Sequence, residues 1–502
     1  MFRKNNIIIL IPLLAFMFSC TDRGYEDVNK NINEITDPKP IHLLNSAFGI
    51  FNSSSTWSTL AELSHQYAET SNQAGKYYRF DTGVWGNYKA NLNLNDVINR
   101  TKDSQDETDR MTYALAKIFR AYAFQKITDC YGDVPFSEAG VIDDAGAFNV
   151  TPKYDKQEEI YTATLADLDE AIDIIGDKSL TLALGSADRV YGGDVQLWKK
   201  FANSLRLRMA MRIRFVDEAK ALEVLKKVWT QPLIDSPEEA ADYENFDEPG
   251  YYYYGYVGLK AETRTNASKM MVDFLKSNSD PRLYSYALPV QQGPMAGQYA
   301  GLPNGYDGGT NRDNFSYAGK VSYQKTLPTI NLSYSEVCFL KAEAYLFGLG
   351  VAKNESEAQM YYAKGIETSL NFWRRPDTFV KDGAEVSEPL YSEQDVTDFM
   401  SSSAASLSGT QEEKFKMIAE QKWASLMTNW VEAYAEMRRT GYPAVKPRVV
   451  GEELSLGDTQ GQWPRRAPYP DSEMLNNQEN YDKASAATDG NSMTHRVWWD
   501  VR

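Results

Sequence analysis

The sequence predicts a mainly α protein in which paired helices form a scaffold for long, aromatic-rich loops, with only minor β-structure. Three observations predict this class. Apolar residues recur at helical spacing through long stretches of the chain. Several of these stretches come in pairs that only a few residues separate. Between the pairs lie segments rich in Gly, Asn, Asp and Ser, far longer than the usual connections of about 4–6 residues; they are 71–109, 234–258, 287–330 and 444–502.

Six helices are predicted in three pairs, in chain order. They are 111–130 with 161–175, 197–213 with 217–229, and 335–350 with 355–373. The segment YGDVP ends the first helix, because Gly132 and Pro135 both oppose helix continuation. Two glycines at 348 and 350 are better explained as a helix C-cap than as a phosphate-binding loop. The pairs resemble tetratricopeptide-type hairpins with uneven spacing, and we expect them to act as scaffold.

A single long helix is predicted over 412–443. Its stripe of apolar side chains is continuous, and we expect it to be core rather than ligand site; the stripe is Phe415, Ala419, Trp423, Leu426, Trp430, Tyr434 and Met437. Arg438 and Arg439 suit the last turn, where cations are favoured, and Gly441 suits the cap.

The candidate ligand-binding residues lie in two aromatic segments with polar surroundings. Phe, Trp and Tyr make up 13% of the chain, and many of them fall outside apolar runs, as in 75–91 and 248–258. Because Tyr and Trp combine an apolar face with a polar tip, they suit binding surfaces that are partly exposed to solvent. The candidates are Tyr77, Tyr78, Trp85, Tyr88, Tyr252, Tyr253 and Tyr254, with Arg79 and Asp81 as polar partners. The alternative is that these aromatic side chains pack under their own loops.

The N-terminus has the pattern of a lipoprotein signal peptide over residues 1–19. Arg3 and Lys4 form a basic start, and the apolar run over 7–18 is too short to span a bilayer, which needs roughly 20 residues. A signal that ends at a cysteine predicts lipidation, so Cys20 is expected to be the first mature residue and the membrane tether. An ordinary secreted protein is the alternative. No clean linker follows, so residues 20–502 are predicted to form one domain.

Composition excludes some functions and leaves others open. With 53 basic and 69 acidic residues, the chain lacks the basic footprint of a nucleic-acid-binding protein. Three histidines and the absence of catalytic or cofactor motifs predict no enzyme activity and no cofactor. No metal site is predicted either, because the acidic segments 103–109 and 305–314 lack the register of a Ca²⁺ loop; a structural Ca²⁺ ion stays open as the alternative. Paired carboxylates for glycoside hydrolysis stay open as an alternative. Cys130 and Cys338 are expected to be small buried hydrophobic residues, although a disulfide between them is also open.

Five segments, taken in order, resemble the second branch of the SusD/RagB-like family of surface lipoproteins from Bacteroidetes-type bacteria. They are YEDVNKNINEITDP (25–38), RAYAFQKITDCYGDVPFSEA (120–139), YGGDVQLWKKFANSLRLRMAMRI (191–213), SYSEVCFLKAEAYLFG (333–348) and RVWWDV (496–501). The first departs from the family pattern, because its proline is delayed to Pro38. The resemblance covers essentially the whole mature chain.

The resemblance implies a function as well as a tetratricopeptide-like fold. It implies an outer-membrane lipoprotein, exposed on the cell surface, that closes as a lid on a TonB-dependent transporter of the SusC/RagA type. Such a lid would capture an oligosaccharide and hand it on without chemistry. A peptide ligand is the first alternative, since the family is known for both, and a surface glycoside hydrolase the second. The family's ligand residues vary with the ligand, so the candidate residues above rest on this sequence alone. They could also pack against the transporter.

Overall fold

The computed structural model describes residues 38–52, 57–69, 83–141, 149–246, 265–308, 312–319, 324, 326–381, 384–452 and 454–502. Helices dominate them. The α-helices are α1 (Pro40–Ala47), α2 (Gly49–Asn52), α3 (Trp57–Leu63), α4 (Tyr88–Thr101), α5 (Glu107–Tyr131), α6 (Gln157–Ile175), α7 (Val195–Ile213), α8 (Glu218–Val228), α9 (Lys269–Ser277), α10 (Leu283–Tyr286), α11 (Tyr334–Phe347), α12 (Glu355–Trp373), α13 (Glu393–Met400), α14 (Gln411–Ser425), α15 (Trp430–Thr440), α16 (Asp471–Asn476) and α17 (Gln478–Ala486).

The three predicted helix pairs are present, and the helices of each pair pack on each other: α5 on α6, α7 on α8, and α11 on α12. This confirms the mainly α scaffold of helix hairpins. Several helices begin at a side chain that accepts a hydrogen bond from the first turn. Asp194 caps α7, Ser333 caps α11 and Asn354 caps α12 in this way.

Two predicted helix ends are confirmed in detail. Gly132 follows α5 with φ 82°, and Gly348 follows α11 in the left-handed conformation with φ 74°. Both positions favour glycine because a Cβ is strained at such φ values. Beyond Gly132, the chain turns directly into strand β2 (Val134–Pro135), which pairs antiparallel with β3 (Tyr154–Asp155). The YGDVP segment therefore ends a helix and starts a strand pair.

The single helix predicted over 412–443 is wrong, because the structure has two helices, α14 and α15, with a break at 426–429. Thr428 in the break has φ 72°. A continuous helix would separate Lys422 and Glu432 by ten residues, about 15 Å along the axis. Their charged groups instead lie 3.7 Å apart. The break thus lets an ion pair form between the two helices, and this tertiary contact overrides the local helical pattern.

Two of the predicted loop segments also contain helices. Helix α4 lies inside 71–109, and α16 and α17 lie inside 444–502. The asparagines of α4 make its sequence look like a loop, but two of them are buried and bound: Asn91 and Asn95 both donate to the carbonyl of Ala139. Its residues Ala90, Leu94, Val97 and Ile98 pack in the core.

The β-structure of the described residues is minor, as predicted, and its named strands form short two-stranded antiparallel pairs. Strand β1 (Tyr67–Ala68) pairs with β5 (Asn266–Ala267), and β4 (Ala241–Tyr243) pairs with β6 (Thr329–Leu332). The longest pair is β7 (Pro376–Lys381) with β8 (Ala384–Pro389).

A buried network of ion pairs connects five helices. Arg212 on α7 is fully buried and contacts Asp129 of α5 at 3.3 Å and two glutamates of α15, Glu432 at 2.6 Å and Glu436 at 2.5 Å. Further pairs extend it through α11 and α14; they are Arg208–Glu336, Arg214–Glu343, Arg439–Glu343, Arg439–Glu436 and Lys422–Glu436. The network contains five cations and five carboxylates, so its charges balance.

Cys130 and Cys338 are buried free thiols, which confirms their expected role as small buried residues. Burial raises the pKa of each thiol to about 12. Residues 40–502 form one compact unit. The signal peptide over 1–19, the lipidation of Cys20 and the start of the mature domain fall outside the described residues and stay predictions.

Candidate functional site

Two of the candidate ligand residues, Trp85 and Tyr88, can be placed. The other candidates fall in segments 70–82 and 247–264, outside the residues that the structure describes; they are Tyr77, Tyr78, Arg79, Asp81, Tyr252, Tyr253 and Tyr254. Trp85 lies in a 3₁₀ turn, Gly83–Asn87, and Tyr88 begins α4. These two residues therefore extend from the start of a helix rather than from an open loop.

Each of the two side chains is partly buried against other aromatic rings. The Trp85 ring lies 4.8 Å from the Tyr88 ring and 4.9 Å, edge to face, from the Tyr131 ring. The Tyr88 ring in turn contacts Phe124 at 5.6 Å, and its hydroxyl donates to the carbonyl of Pro135 at 2.6 Å. Packing therefore fixes both rings in orientation, which limits the conformational entropy that ligand binding would cost.

The remaining surface of Trp85 and Tyr88 faces a hollow of about 260 Å³, here called the Trp85 hollow. Four segments that are distant in sequence supply its walls: the 3₁₀ turn with the start of α4, β2 with the chain after it, the chain before β3, and the start of α16. The lining residues are Trp85, Tyr88, Asn91, Leu92, Pro135, Ala139, Gly140, Val150, Pro152 and Glu473. Leu92 and Val150 are 43% and 76% exposed, so apolar groups are open to solvent at this hollow.

Hydrogen bonds and one glycine hold the walls together. Tyr154 donates from its hydroxyl to Glu473 at 3.0 Å, which ties β3 to α16. Gly140 has φ 68°, and a Cβ there would lie 3.1 Å from Leu92 and 3.2 Å from Asn91. Since both the conformation and the space favour glycine, Gly140 lets the chain after β2 pass close to α4.

The electrostatics of the hollow suit hydrogen bonding rather than catalysis. Burial, and then the nearby charge of Glu473, raise the pKa of Tyr88 and of Tyr154, so both phenols stay protonated at neutral pH. Among the described residues that line the hollow, Glu473 is the sole carboxylate. Glycoside hydrolysis uses a pair of carboxyl groups, so these walls do not supply its usual machinery.

Sequence reasoning missed most of the walls. Pro135, Val150, Pro152 and Glu473 carried no signal of ligand binding, because their roles depend on which segments meet in space. The hint available in the sequence was the strand-forming step after Gly132, which brings Pro135 beneath Tyr88.

The comparisons with known proteins agree with this architecture. A model of the second SusD-like family, described as starch-binding and associating with the outer membrane, matches residues 32–470. The chain belongs to this SusD-like family. No curated protein matches the sequence.

Solved structures of SusD-like and related proteins have the same fold. A chitin-binding protein is 28% identical, with a TM-score of 0.75 over 92% of this chain and 100% of its own. A SusD homologue from Bacteroides uniformis is 27% identical, with a TM-score of 0.68 over 93% and 100%. A chitin-binding SusD homologue from Flavobacterium johnsoniae, 24% identical, has a TM-score of 0.70 over 91% and 99%, which shows the shared fold.

Family membership supports a nutrient-binding role at the outer membrane and confirms that the protein is not an enzyme, since SusD-like proteins bind their ligands without chemistry. Within the described part of the chain, no helix combines the length and the hydropathy needed to cross a membrane. Over the same residues, no cluster of three or more His, Cys, Asp or Glu side chains is placed to hold a metal ion.

Proposed function

We propose that this SusD-like protein is a non-catalytic lipoprotein of the cell surface that captures an oligosaccharide and delivers it, as a lid, to a TonB-dependent transporter of the SusC type. The observation that carries the proposal is the family match over residues 32–470. The Trp85 hollow adds a local reason, because it combines fixed aromatic rings with polar groups on a protein surface.

An oligosaccharide matches the chemistry of this hollow. Sugar rings have apolar faces of C–H groups and polar rims of hydroxyls, so Trp85 and Tyr88 can cover a face while Glu473 and Asn91 lie near the rim. The contacts involve few charges, which favours reversible capture. A protein that hands its ligand on requires such reversibility.

The lid mechanism requires a tether, and Cys20 is the residue we assign to it. Diacylglycerol on Cys20, after removal of residues 1–19, would hold the chain in the outer membrane without a spanning helix. Each buried methylene adds about 0.8 kcal/mol, so two or more acyl chains anchor a protein stably.

The decisive experiment is a capture assay. The mature chain from residue 21 is incubated with a mixture of plant, fungal and bacterial oligosaccharides and with a peptide digest, and retained molecules are identified by mass spectrometry. We expect intact oligosaccharide to be retained. Retention of a peptide instead would show that the ligand is a peptide, while the proposed lid mechanism would still stand. Cleaved sugar products would contradict the non-catalytic role.

The tether and the partner need a second experiment in the native cell. A Cys20→Ser variant should lose incorporation of labelled palmitate and appear in the soluble fraction. Affinity purification of the unaltered protein from detergent-solubilised membranes should recover a TonB-dependent transporter. Recovery of the protein without any transporter, under conditions that preserve other outer-membrane complexes, would contradict the proposed lid mechanism.

A further inference from the structure

A second hollow, of about 330 Å³, lies elsewhere in the same compact unit; we call it the Asp242 hollow. The end of α12 forms one wall, while β4 with the residues before it, β6 and the start of α11 form the other. Its lining residues are Pro237, Ala240, Asp242, Ile330, Ser333, Tyr334, Ser335, Lys364, Glu367, Thr368, Ser369, Asn371, Phe372, Trp373 and Ser425. It shares no lining residue with the Trp85 hollow.

Helix α12 presents a stripe of side chains to this hollow. Glu367, Thr368, Asn371 and Phe372 are spaced three and four residues apart, so they share one helix face. Thr368 and Asn371 make no side-chain hydrogen bond with any described residue. Both are therefore available to a ligand. Phe372 is partly buried, and its ring stands edge to face with the Trp373 ring at 4.8 Å.

Asp242 on the opposite wall is a carboxylate without a hydrogen-bond partner. Its Oδ1 is buried and accepts no hydrogen bond from the described residues. Arg375 is the cation that acts electrostatically on Asp242, and its guanidinium lies over the Phe372 ring at 4.6 Å; in the described part of the chain it forms no ion pair with Asp242. Burial raises the pKa of Asp242 to about 7, and Arg375 offsets part of that rise. An unpaired buried acceptor is costly unless a ligand or water satisfies it.

The charge of the walls restricts the ligand. Lys364, the cation among the described lining residues, is paired with Glu367 at 3.2 Å, and the neighbouring Arg375 lies over the Phe372 ring at 4.6 Å. The groups that are free are a carboxylate, a hydroxyl and an amide beside an aromatic ring. These groups are the partners of a neutral sugar, whose hydroxyls donate and accept while its C–H face packs on a ring. The volume is near the lower end of small-molecule sites, about 300–1,000 Å³, which suits a single ring.

We propose that the Asp242 hollow is a second saccharide site, distinct from the Trp85 hollow, that binds one neutral sugar ring. In this site the Asp242 carboxylate accepts hydrogen bonds from sugar hydroxyls. Thr368 and Asn371 bind other hydroxyls, and Phe372 packs against the ring. Acidic sugars are disfavoured, because an ionised Asp242 repels a second carboxylate, while Lys364 is paired with Glu367 and Arg375 is held over the Phe372 ring.

Titration calorimetry and ligand-observed NMR test this inference on the mature chain. The probes are glucose, galactose, mannose, xylose and N-acetylglucosamine, with glucuronate as the acidic counterpart. We expect at least one neutral probe to bind saturably at concentrations up to roughly 10 mM, and glucuronate to bind at least tenfold more weakly. The absence of saturable binding by every neutral probe, or equal binding of glucuronate, would overturn the proposal.

Variants assign the binding to this hollow. Asp242→Asn, which keeps the side-chain shape, and Asn371→Ala should each weaken the neutral probe at least tenfold. Asp273→Asn, at an exposed carboxylate of α9 outside the hollow, is the matched control and should leave binding unchanged. Thermal denaturation checks that each variant is folded. Binding that survives both Asp242→Asn and Asn371→Ala in folded protein would contradict the site.

A failure here is distinguishable from a failure of the proposed function. Trp85→Ala should leave the monosaccharide signal of the Asp242 hollow intact while it weakens oligosaccharide capture. If Trp85→Ala leaves oligosaccharide capture unchanged, the assignment of the ligand to the Trp85 hollow is wrong. If both Asp242→Asn and Asn371→Ala leave the monosaccharide signal unchanged, the assignment of the second site is wrong.

Discussion

The buried ion network and the Trp85 hollow are built in opposite ways. The network connects five helices of 11 to 25 residues, and its charged side chains are at most 8% exposed. The hollow unites a 3₁₀ turn and the first turns of α4 with short strands, their flanking chain and the start of a short helix, and it relies on aromatic rings and a few polar groups. The network therefore holds the helices of the scaffold together, whereas the hollow is a surface feature that the scaffold supports.

Several of the segments that carry the family resemblance contribute charged residues to the network, and 120–139 also supplies Pro135 and Ala139 to the hollow. Asp129 lies in 120–139, Arg208 and Arg212 lie in 191–213, and Glu336 and Glu343 lie in 333–348. The C-terminal segment joins them, because the Trp499 indole donates to Asp129 at 2.8 Å. The described segments that carry the resemblance therefore contribute mainly to the scaffold, and the lining residues of the hollow outside 120–139 lie in none of them.

The largest expected effect is the loss of a central cation from the network. Arg212→Met keeps the length of the side chain but leaves Asp129, Glu432 and Glu436 without their shared partner. Breaking a buried ion pair typically costs about 3–5 kcal/mol, because a charge stays buried and uncompensated. We expect a loss of that size in the free energy of unfolding, measured by urea denaturation.

An exposed ion pair provides the control for Arg212→Met. Lys483 pairs with Glu479 on α17, and both side chains are well exposed. Lys483→Met should cost less than about 1 kcal/mol, because water screens such pairs. Equal losses for the two variants would mean that the network contributes no more than a surface pair.

Acid should weaken the ion network. Burial would raise the pKa of Glu436, but Arg439, Lys422 and Arg212 outweigh it and hold that pKa well below the ordinary 4.5. Glu343 is lowered in the same way by Arg439 and Arg214. Carboxyls with a lowered folded-state pKa stabilise the fold above their unfolded-state pKa, and this stabilisation is lost as the pH falls through the folded-state value.

Thermal denaturation from pH 7 to pH 3 measures this dependence. We expect the midpoint to fall once the pH drops below about 4.5, the ordinary value for Glu. Asp129 acts in the opposite direction, since burial raises its pKa despite Arg212, and it reduces the size of the effect. A midpoint that rises through this range would contradict the balance we assign to the glutamates.

A smaller effect, on binding rather than on stability, is expected at the hollow. Trp85→Ala removes an aromatic wall, and we expect the captured oligosaccharide to bind about tenfold more weakly, equivalent to about 1.4 kcal/mol. Tyr284→Ala is the control, because Tyr284 is 46% exposed, contacts another aromatic ring and lies outside the hollow. Calorimetry with both variants separates the roles. Equal affinities would show that Trp85 only packs beneath the surface, which was the alternative for these aromatics.

Sequence patterns predicted the scaffold well because its signals are local. Apolar spacing located the helix pairs, and Gly132 and Gly348 marked their ends. The hollow could not be predicted in this way, since Trp85 and Glu473 meet only after the whole chain has folded. Helix α4 was missed for a related reason, because its asparagines resemble a loop until Ala139 supplies their partner.

The break between α14 and α15 is where a local pattern and the network compete, and it allows the smallest test. The apolar stripe favours one continuous helix, but Lys422 reaches Glu432 and Glu436 only if the chain turns at 426–429.

Thr428 adopts φ 72°, which is strained for a β-branched residue. Thr428→Gly should therefore stabilise the fold by about 1 kcal/mol at most, after the entropy cost of glycine in the unfolded chain. The urea denaturation midpoint measures the change. A lower midpoint would mean that Thr428 makes contacts worth more than the strain, and that the local chain as well as the ion network specifies the break.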